Sequence, residues 1–222
     1  MRGQDQPRPG SPGVEADGAE AENKSLYASE RDQEENRRRR EEFVEPLGTI
    51  PPEKVIFLDE SGVTTRMTRL YARAPGGVRV HEGAPEGDWQ ILTILGAMST
   101  RGMIAAMTIE AATDGDIFLA FLEEVLCPVL EPGNVVVMDN LSSHKVDRVR
   151  QRIENCQAEL LYLPPDSPDF NPIEKAWSKL KEILRQAKAR TVEALDQTIT
   201  IALREISPVN VQAWFRLCFK GI

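Results

Sequence analysis

Three carboxylates stand where this sequence could build a metal centre. Lys54 to Glu60 reads KVIFLDE, an apolar, β-rich run ending in Asp59, and Asn134 to Asn140 reads NVVVMDN, which places Asp139 the same way. Near-continuous apolar runs mark strands buried on both faces. An acid at the end of such a strand reaches the sheet edge, where α/β proteins place their ligands. The third acid, Glu174, follows a rigid loop. In LPPDSPDFNPIEKAWSKLK, residues 163–181, Pro164, Pro165, Pro168 and Pro172 each fix their own φ and remove a backbone donor. Asp166, Ser167, Asp169 and Asn171 supply turn formers between them. Asn171 before Pro172 predicts an N-cap and first-position proline. Glu174 then falls in the first helical turn, where the helix dipole favours negative charge. Taken singly, each acid also reads as a solvated strand terminus or a capping residue. Together they predict a convergent cluster of Asp59, Asp139 and Glu174, and carboxylates set by stiff segments suit a hard cation such as Mg²⁺.

These stretches resemble a known family. FLDESGVTTRMTRLYARAP, VVVMDNLSSHK and LPPDSPDFNPIEKAWSKLK look like the three catalytic blocks of mariner-superfamily insertion-sequence transposases, DDE enzymes with a ribonuclease-H-like core. The third block is the most specific, because its proline pattern coincides with an interval of 34 residues between Asp139 and Glu174. The resemblance runs from about Ser25 to the C-terminus. It implies that Asp59, Asp139 and Glu174 are the catalytic metal ligands, with Asp59 bridging two Mg²⁺ ions and the other two acids on one ion each; Mn²⁺ is expected to substitute. In-line displacement at phosphorus uses two such ions about 3.5–4 Å apart, one activating the attacking oxygen and one stabilising the leaving oxygen. The implied activity is DNA strand cleavage followed by strand transfer in cut-and-paste transposition. The implied partners are transposon ends and target DNA, with a TA dinucleotide as target and a homodimer in the DNA complex. The family carries a small helix-turn-helix DNA-binding arm ahead of the core, for which this chain is expected to have no room. A separately encoded DNA-binding half is one way to supply it. A non-catalytic remnant or partner subunit that binds DNA or another transposase chain is the alternative reading.

The surrounding pattern predicts the elements that would position the acids. Strand 1 runs to Asp59, followed by strands at Arg69–Ala74 and Trp89–Met98, with Pro75-Gly76-Gly77 as the turn, and a further strand at Met103–Ile109. Short connections imply antiparallel pairing. Asp114 or Asp116 caps a helix bearing Phe118, Leu119, Leu122, Val125 and Leu126 on one stripe. Strand Asn134–Met138, helix Ser143–Asn155 and strand Ala158–Leu163 follow, then two or three helices from Glu174 to Phe219. The expected fold is α/β, a ribonuclease-H-like mixed sheet with antiparallel first strands, then parallel strands, flanked by helices. Strand 1 would lie beside the Val135 strand, bringing Asp59 to Asp139.

Other side chains have two readings each. Arg66 and Arg69 follow the first acid and read as phosphate contacts or as ordinary surface arginines. Asn140 and His144 could position DNA or the nucleophile, His144 reading equally as a helix N-terminal residue. Lys175, Lys179 and Lys181, with Arg185, Lys188 and Arg190, read as a basic helix neutralising phosphates or as a solvated face. Trp89, Trp177 and Trp214 are expected in the core, with Trp177 bracing Glu174 one turn away. Glu60 is expected on the face opposite Asp59. A doubly wound phosphoryl-transfer enzyme with Asp59 as covalent nucleophile is a competing reading, although Ser61 stands where such enzymes commonly place a second acid.

Composition sets the frame. The chain has 222 residues and a net charge of −8, so affinity for nucleic acid must be local. Residues 173–222 supply such a region, with nine Lys or Arg against five Asp or Glu. Residues 1–24 are rich in Pro, Gly and acids and predict a disordered tail. Residues 25–52 predict a charged helical linker in which Arg37 to Arg40 sit among glutamates, and 53–222 the catalytic domain. Three widely spaced cysteines, with His81 and His144 the only histidines, predict a reduced protein without a zinc knuckle. Without an apolar leader or a membrane-length apolar run, the expected location is the cytoplasm.

Overall fold

The computed structural model describes residues 29–76, 78–139 and 143–219, with backbone alone for 30, 31 and 143–146. The expected tail, residues 1–24, therefore lies outside the described residues. Five strands, β1 (Val55–Thr64), β2 (Ile91–Ser99), β3 (Gly102–Ile109), β4 (Val135–Met138) and β5 (Glu159–Tyr162), form one sheet in the order β3-β2-β1-β4-β5. The β1–β2 and β2–β3 pairs are antiparallel, whereas β4 pairs in parallel with both β1 and β5. This is the mixed sheet expected of a ribonuclease-H-like core. Its two antiparallel pairs set aside the all-parallel, doubly wound alternative.

Helices cover both faces, which is why β1 and β4 are apolar almost throughout. Alternation along β1 divides the core. Val55, Phe57 and Val63 join Leu180, Leu184, Leu195, Ile199, Val211 and Phe215 on one side. Ile56 and Leu58 join Phe118, Phe121, Leu122, Val149 and Ile153 on the other. The first side is built by α1 (Glu34–Leu47), α4 (Ile173–Ala187), α5 (Val192–Arg204) and α6 (Pro208–Cys218); the second by α2 (Gly115–Phe121) and α3 (Ser143–Asn155). On α4 the buried residues Ile173, Ala176, Trp177, Leu180 and Leu184 follow the helical repeat. Asp114 caps α2 as expected, its Oδ1 accepting from the N–H groups of Asp116 and Ile117 at 2.9 Å each.

The expected strand at Arg69–Ala74 is absent. Both edges of β1 are already taken by β2 and β4, so the segment after Thr65 cannot pair with β1 as a hairpin partner, and its described residues before Ile91 form neither strand nor helix. Its alternating apolar residues remain outside, with Tyr71 89% and Leu70 68% exposed. It is held instead at a few points. Arg190 Nη1 donates to the carbonyls of Thr65 and Met67 at 2.9 Å, and Lys188 pairs with Glu82. Trp89, expected in the core, is half exposed with the Arg66 guanidinium 4.9 Å from its ring centroid.

The charged helix expected as a linker packs onto the core. Phe43 and Leu47 of α1 are buried, while Arg38 and Arg39 pair with Glu35, and Arg38 also with Glu42, as the glutamate-rich sequence implies. Arg40 turns the other way. Its guanidinium lies 4.0 Å from the Phe170 ring centroid and donates to Ser167 Oγ at 2.6 Å and to both oxygens of Asp169 at 3.0 and 2.7 Å. The Pro-rich loop is thus clamped by a fork whose side chain is only 11% exposed. Arg40→Ala is expected to destabilise the protein by about 1.5–3 kcal/mol, the range for charge-assisted hydrogen bonds. An unchanged urea midpoint would contradict that role.

Candidate active site

The parallel β1–β4 pair sets the first two acids side by side. Its register ends at Leu58 opposite Met138, and Asp59 and Asp139 are the next residue on each strand. On the other side of β1, Asp59 lies opposite Gly96 of β2. Beyond β5, the N–H of Leu163 donates to the Met138 carbonyl at 2.9 Å, so the Pro-rich loop leaves the same end of the sheet and returns as α4. Glu174 projects from the first turn of α4, exposed, as does Asp139 at its strand end. A cleft of about 200 Å³ opens here between the sheet and the start of α2, lined by Asp59, Glu60, Thr113, Asp114, Phe118 and Asp139.

Asp59 feels both its burial and the charges of the other two acids. Burial pushes the Asp59 carboxyl from 3.8 up to about 6, and the negative charges of Glu174 and Asp139 push the same way. Hydrogen bonds from the Glu60 N–H and the Trp177 indole oppose the rise. Among the described residues, no salt bridge neutralises Asp59, Asp139 or Glu174. Nor do three such side chains close around a common point there. The arrangement is a set of neighbouring carboxylates that offer hard oxygen donors. That donor set fits Mg²⁺, which keeps several of its waters and needs only a few protein oxygens.

Asp59 is held from three directions. Its Oδ1 accepts from the Glu60 N–H at 2.8 Å; its Oδ2 accepts from Asn171 Nδ2 and Trp177 Nε1, both at 3.2 Å. Sequence reasoning assigned these two side chains elsewhere. Asn171 is not the N-cap of α4: Pro172 occupies that position without a side-chain cap, and the Asn171 amide turns to Asp59. Trp177 is buried as expected, but its indole braces Asp59 rather than Glu174. Only the placement of α4 against β1 shows this, because 112 and 118 residues separate these partners in the chain.

The basic residues divide. Lys179 is committed to structure, its Nζ donating to the Glu205 carbonyl at 2.6 Å and to Asn210 Oδ1 at 2.7 Å across the α5–α6 connection. Lys188 and Arg190 follow the end of α4 and anchor the segment after β1. Lys175 is exposed beside Glu174, and Lys181 is half-buried further along α4. Arg66 and Arg69 are exposed, and Arg69 lines a cavity of about 660 Å³ with Tyr71, Arg73, Ser178, Glu182 and Arg185. Asn140 lies outside the described residues, and His144 is described only by its backbone in the first turn of α3.

A mixed β3-β2-β1-β4-β5 sheet with acids at the shared end of β1 and β4 defines a ribonuclease-H-like catalytic core. The chain belongs to the DDE superfamily endonucleases, whose family profile matches residues 54–196 and so spans all three acids. Among solved structures, it is similar to a Mos1 transposase paired-end complex with left transposon end, with a TM-score of 0.70 at 14% identity, over 91% of this chain and 65% of that one. It is similar to a pre-cleavage Mos1 transpososome, with a TM-score of 0.71 at 13% identity, over 92% of this chain and 67% of that one. It also matches the catalytic domain of Mos1 mariner transposase, with a TM-score of 0.59 at 13% identity, over 85% of this chain and 94% of that domain. This chain therefore has the catalytic-domain fold and spans 65% of the length of the first of these chains. No curated protein sequence matches it. Among the described residues, no helix is long and apolar enough to cross a membrane.

Proposed function

We propose that this chain is the catalytic core of a mariner-type transposase that cuts DNA and joins the freed end to a target with a divalent cation. The observation that carries the reading is the β1–β4 register, which sets Asp59 beside Asp139, with the Glu174 charge felt at Asp59. Asp59, Asp139 and Glu174 would hold Mg²⁺ or Mn²⁺. When bound, the cations supply charge to the attacking and leaving oxygens of an in-line displacement. Mos1 paired-end complexes have been determined with Mn and with Mg, which supports the same choice here.

The chain's residues then do the positioning. The three carboxylates fix the site at the edge of the sheet, and Phe118 and Met138 form its apolar wall. Water attacks a phosphorus, the bond to the 3′-oxygen breaks, and a 3′-hydroxyl is released. That hydroxyl next attacks a phosphorus of target DNA, forming one ester bond as another breaks. Lys175 beside Glu174, with Arg66 and Arg69 after β1, would meet flanking phosphates. Lys179 spends two of its three donors on the Glu205 carbonyl and Asn210 Oδ1. Transposon ends, a TA target, a homodimer in the DNA complex and a DNA-binding part supplied in the same or a separate chain complete the proposal.

Supercoiled plasmid should be nicked with Mg²⁺ or Mn²⁺ and not with excess EDTA. The nicks should prime a DNA polymerase without phosphatase treatment, since the chemistry leaves a 3′-hydroxyl. Metal-independent nicks, or nicks ending in 3′-phosphate, would reject this mechanism.

A further inference from the structure

We propose that Asn171 and Trp177 are positioning residues for the metal centre. Their N–H groups fix the Asp59 carboxylate in one orientation, the one in which it would meet the cation. The inference rests on the reading of Asp59 as a metal ligand and assigns two residues beyond the three acids.

The donors are neutral, and that is their use. Both reach the same oxygen, Asp59 Oδ2, at 3.2 Å, and both side chains are buried, Asn171 5% and Trp177 2% exposed. A lysine or arginine in their place would orient the carboxylate but cancel the charge that attracts a cation. Two neutral donors orient it and leave that charge in place. They also belong to the segment that presents Glu174, so one rigid turn both offers the third acid and holds the first.

The amide has a second end. Asn171 Oδ1 is buried and has no hydrogen-bond partner among the described residues. The amide cannot turn around to relieve this, because its oxygen would then face the Asp59 carboxylate. A buried acceptor left unpaired is costly, and Asn171 has no capping role to explain its presence. Its bond to Asp59 is the role that remains for this side chain.

The test is Mn²⁺ binding, followed by electron paramagnetic resonance, in wild type, Asn171→Ala, Trp177→Phe and Asp139→Ala, each checked for folding by thermal melting. Asn171→Ala should bind Mn²⁺ about 10–100-fold more weakly, the loss typical when a partner of a metal ligand is removed. Trp177→Phe, which keeps the ring and removes the N–H, should shift affinity the same way. Plasmid nicking by Asn171→Ala should recover as Mn²⁺ is raised, with the KM for DNA unchanged, which a purely structural defect would not do. Wild-type affinity in folded Asn171→Ala overturns the inference while leaving the three acids in place. If wild type shows no Mn²⁺ binding that Asp139→Ala removes, the metal-centre reading itself fails and this inference with it.

Discussion

Asp59→Asn should abolish metal-dependent cleavage and, at the same time, remove the stability that the metal-free protein loses as pH rises from 4 to 7.5. The two effects share one cause. The Asp59 carboxyl is raised to about 6 by burial and by Glu174 and Asp139. In the unfolded chain it titrates near 3.8. Between these values the folded state holds a proton that the unfolded state has lost, so stability falls as pH rises through this window. Above about pH 6 the folded protein carries an unfavourable charge that asparagine lacks. Relative to wild type, the variant should therefore gain about 1–3 kcal/mol between pH 4 and pH 7.5, the upper end being the full shift and the lower end allowing for solvent screening. Asparagine offers one acceptor where Asp59 offers two to the Glu60, Asn171 and Trp177 N–H groups, and that cost is the same at both pH values. Saturating Mg²⁺ should favour wild type, because a cation that binds only the folded wild type stabilises it by mass action. Cleavage should fall by roughly a thousandfold or more, the equivalent of several kcal/mol of lost charge stabilisation in the transition state. Melting curves at pH 4 and 7.5, with and without Mg²⁺, check the stability half; an equal difference from wild type at both pH values would contradict the stated cause.

Gly96→Ala should cost about 2–3 kcal/mol of stability and depress activity beyond that loss. Gly96 lies opposite Asp59, and a Cβ there would fall 2.5 Å from Trp177 Cη2, 2.9 Å from Met103 Cε and 3.1 Å from Trp177 Cζ2. The methionine end can move aside, but the indole is buried against the sheet. The ring must shift, and its N–H bond to Asp59 moves with it. Gly62→Ala on β1 is the control, because a Cβ there meets nothing within 4 Å, and its effect should stay within about 0.5 kcal/mol. Urea midpoints of the two variants, with plasmid nicking compared at a temperature where both are folded, separate packing from chemistry. Equal stability of the two would show that the indole yields without cost.

The strands that carry the acids were legible because burial on both faces leaves an unmistakable apolar run, and the acids interrupt it at its end. The proline-rich loop was legible because prolines constrain the chain locally. What failed was non-local. Arg69–Ala74 reads like a strand, but the nearest partner in the chain is β1, and β2 and β4 occupy both of its edges. Asn171 before Pro172 carries the local marks of an N-cap, yet its Nδ2 donates to a carboxylate on a strand 112 residues away, which turns the side chain from the helix end. The same holds for Lys179, whose helical spacing suggests a basic stripe while its ammonium closes the α5–α6 junction. Local chemistry points to Asp59, Asp139 and Glu174 as candidates, and tertiary contacts decide which neighbours pack against them.

We propose that Asp59, Asp139 and Glu174 form one working metal centre for DNA cleavage. The most direct measurement is nicking of supercoiled plasmid by wild type, Asp139→Ala and Glu174→Gln, with Mg²⁺ and with Mn²⁺, on protein shown to be folded. Metal-dependent nicking by wild type, lost in both variants, is the predicted result. Nicking at the wild-type rate by either folded variant would contradict the claim.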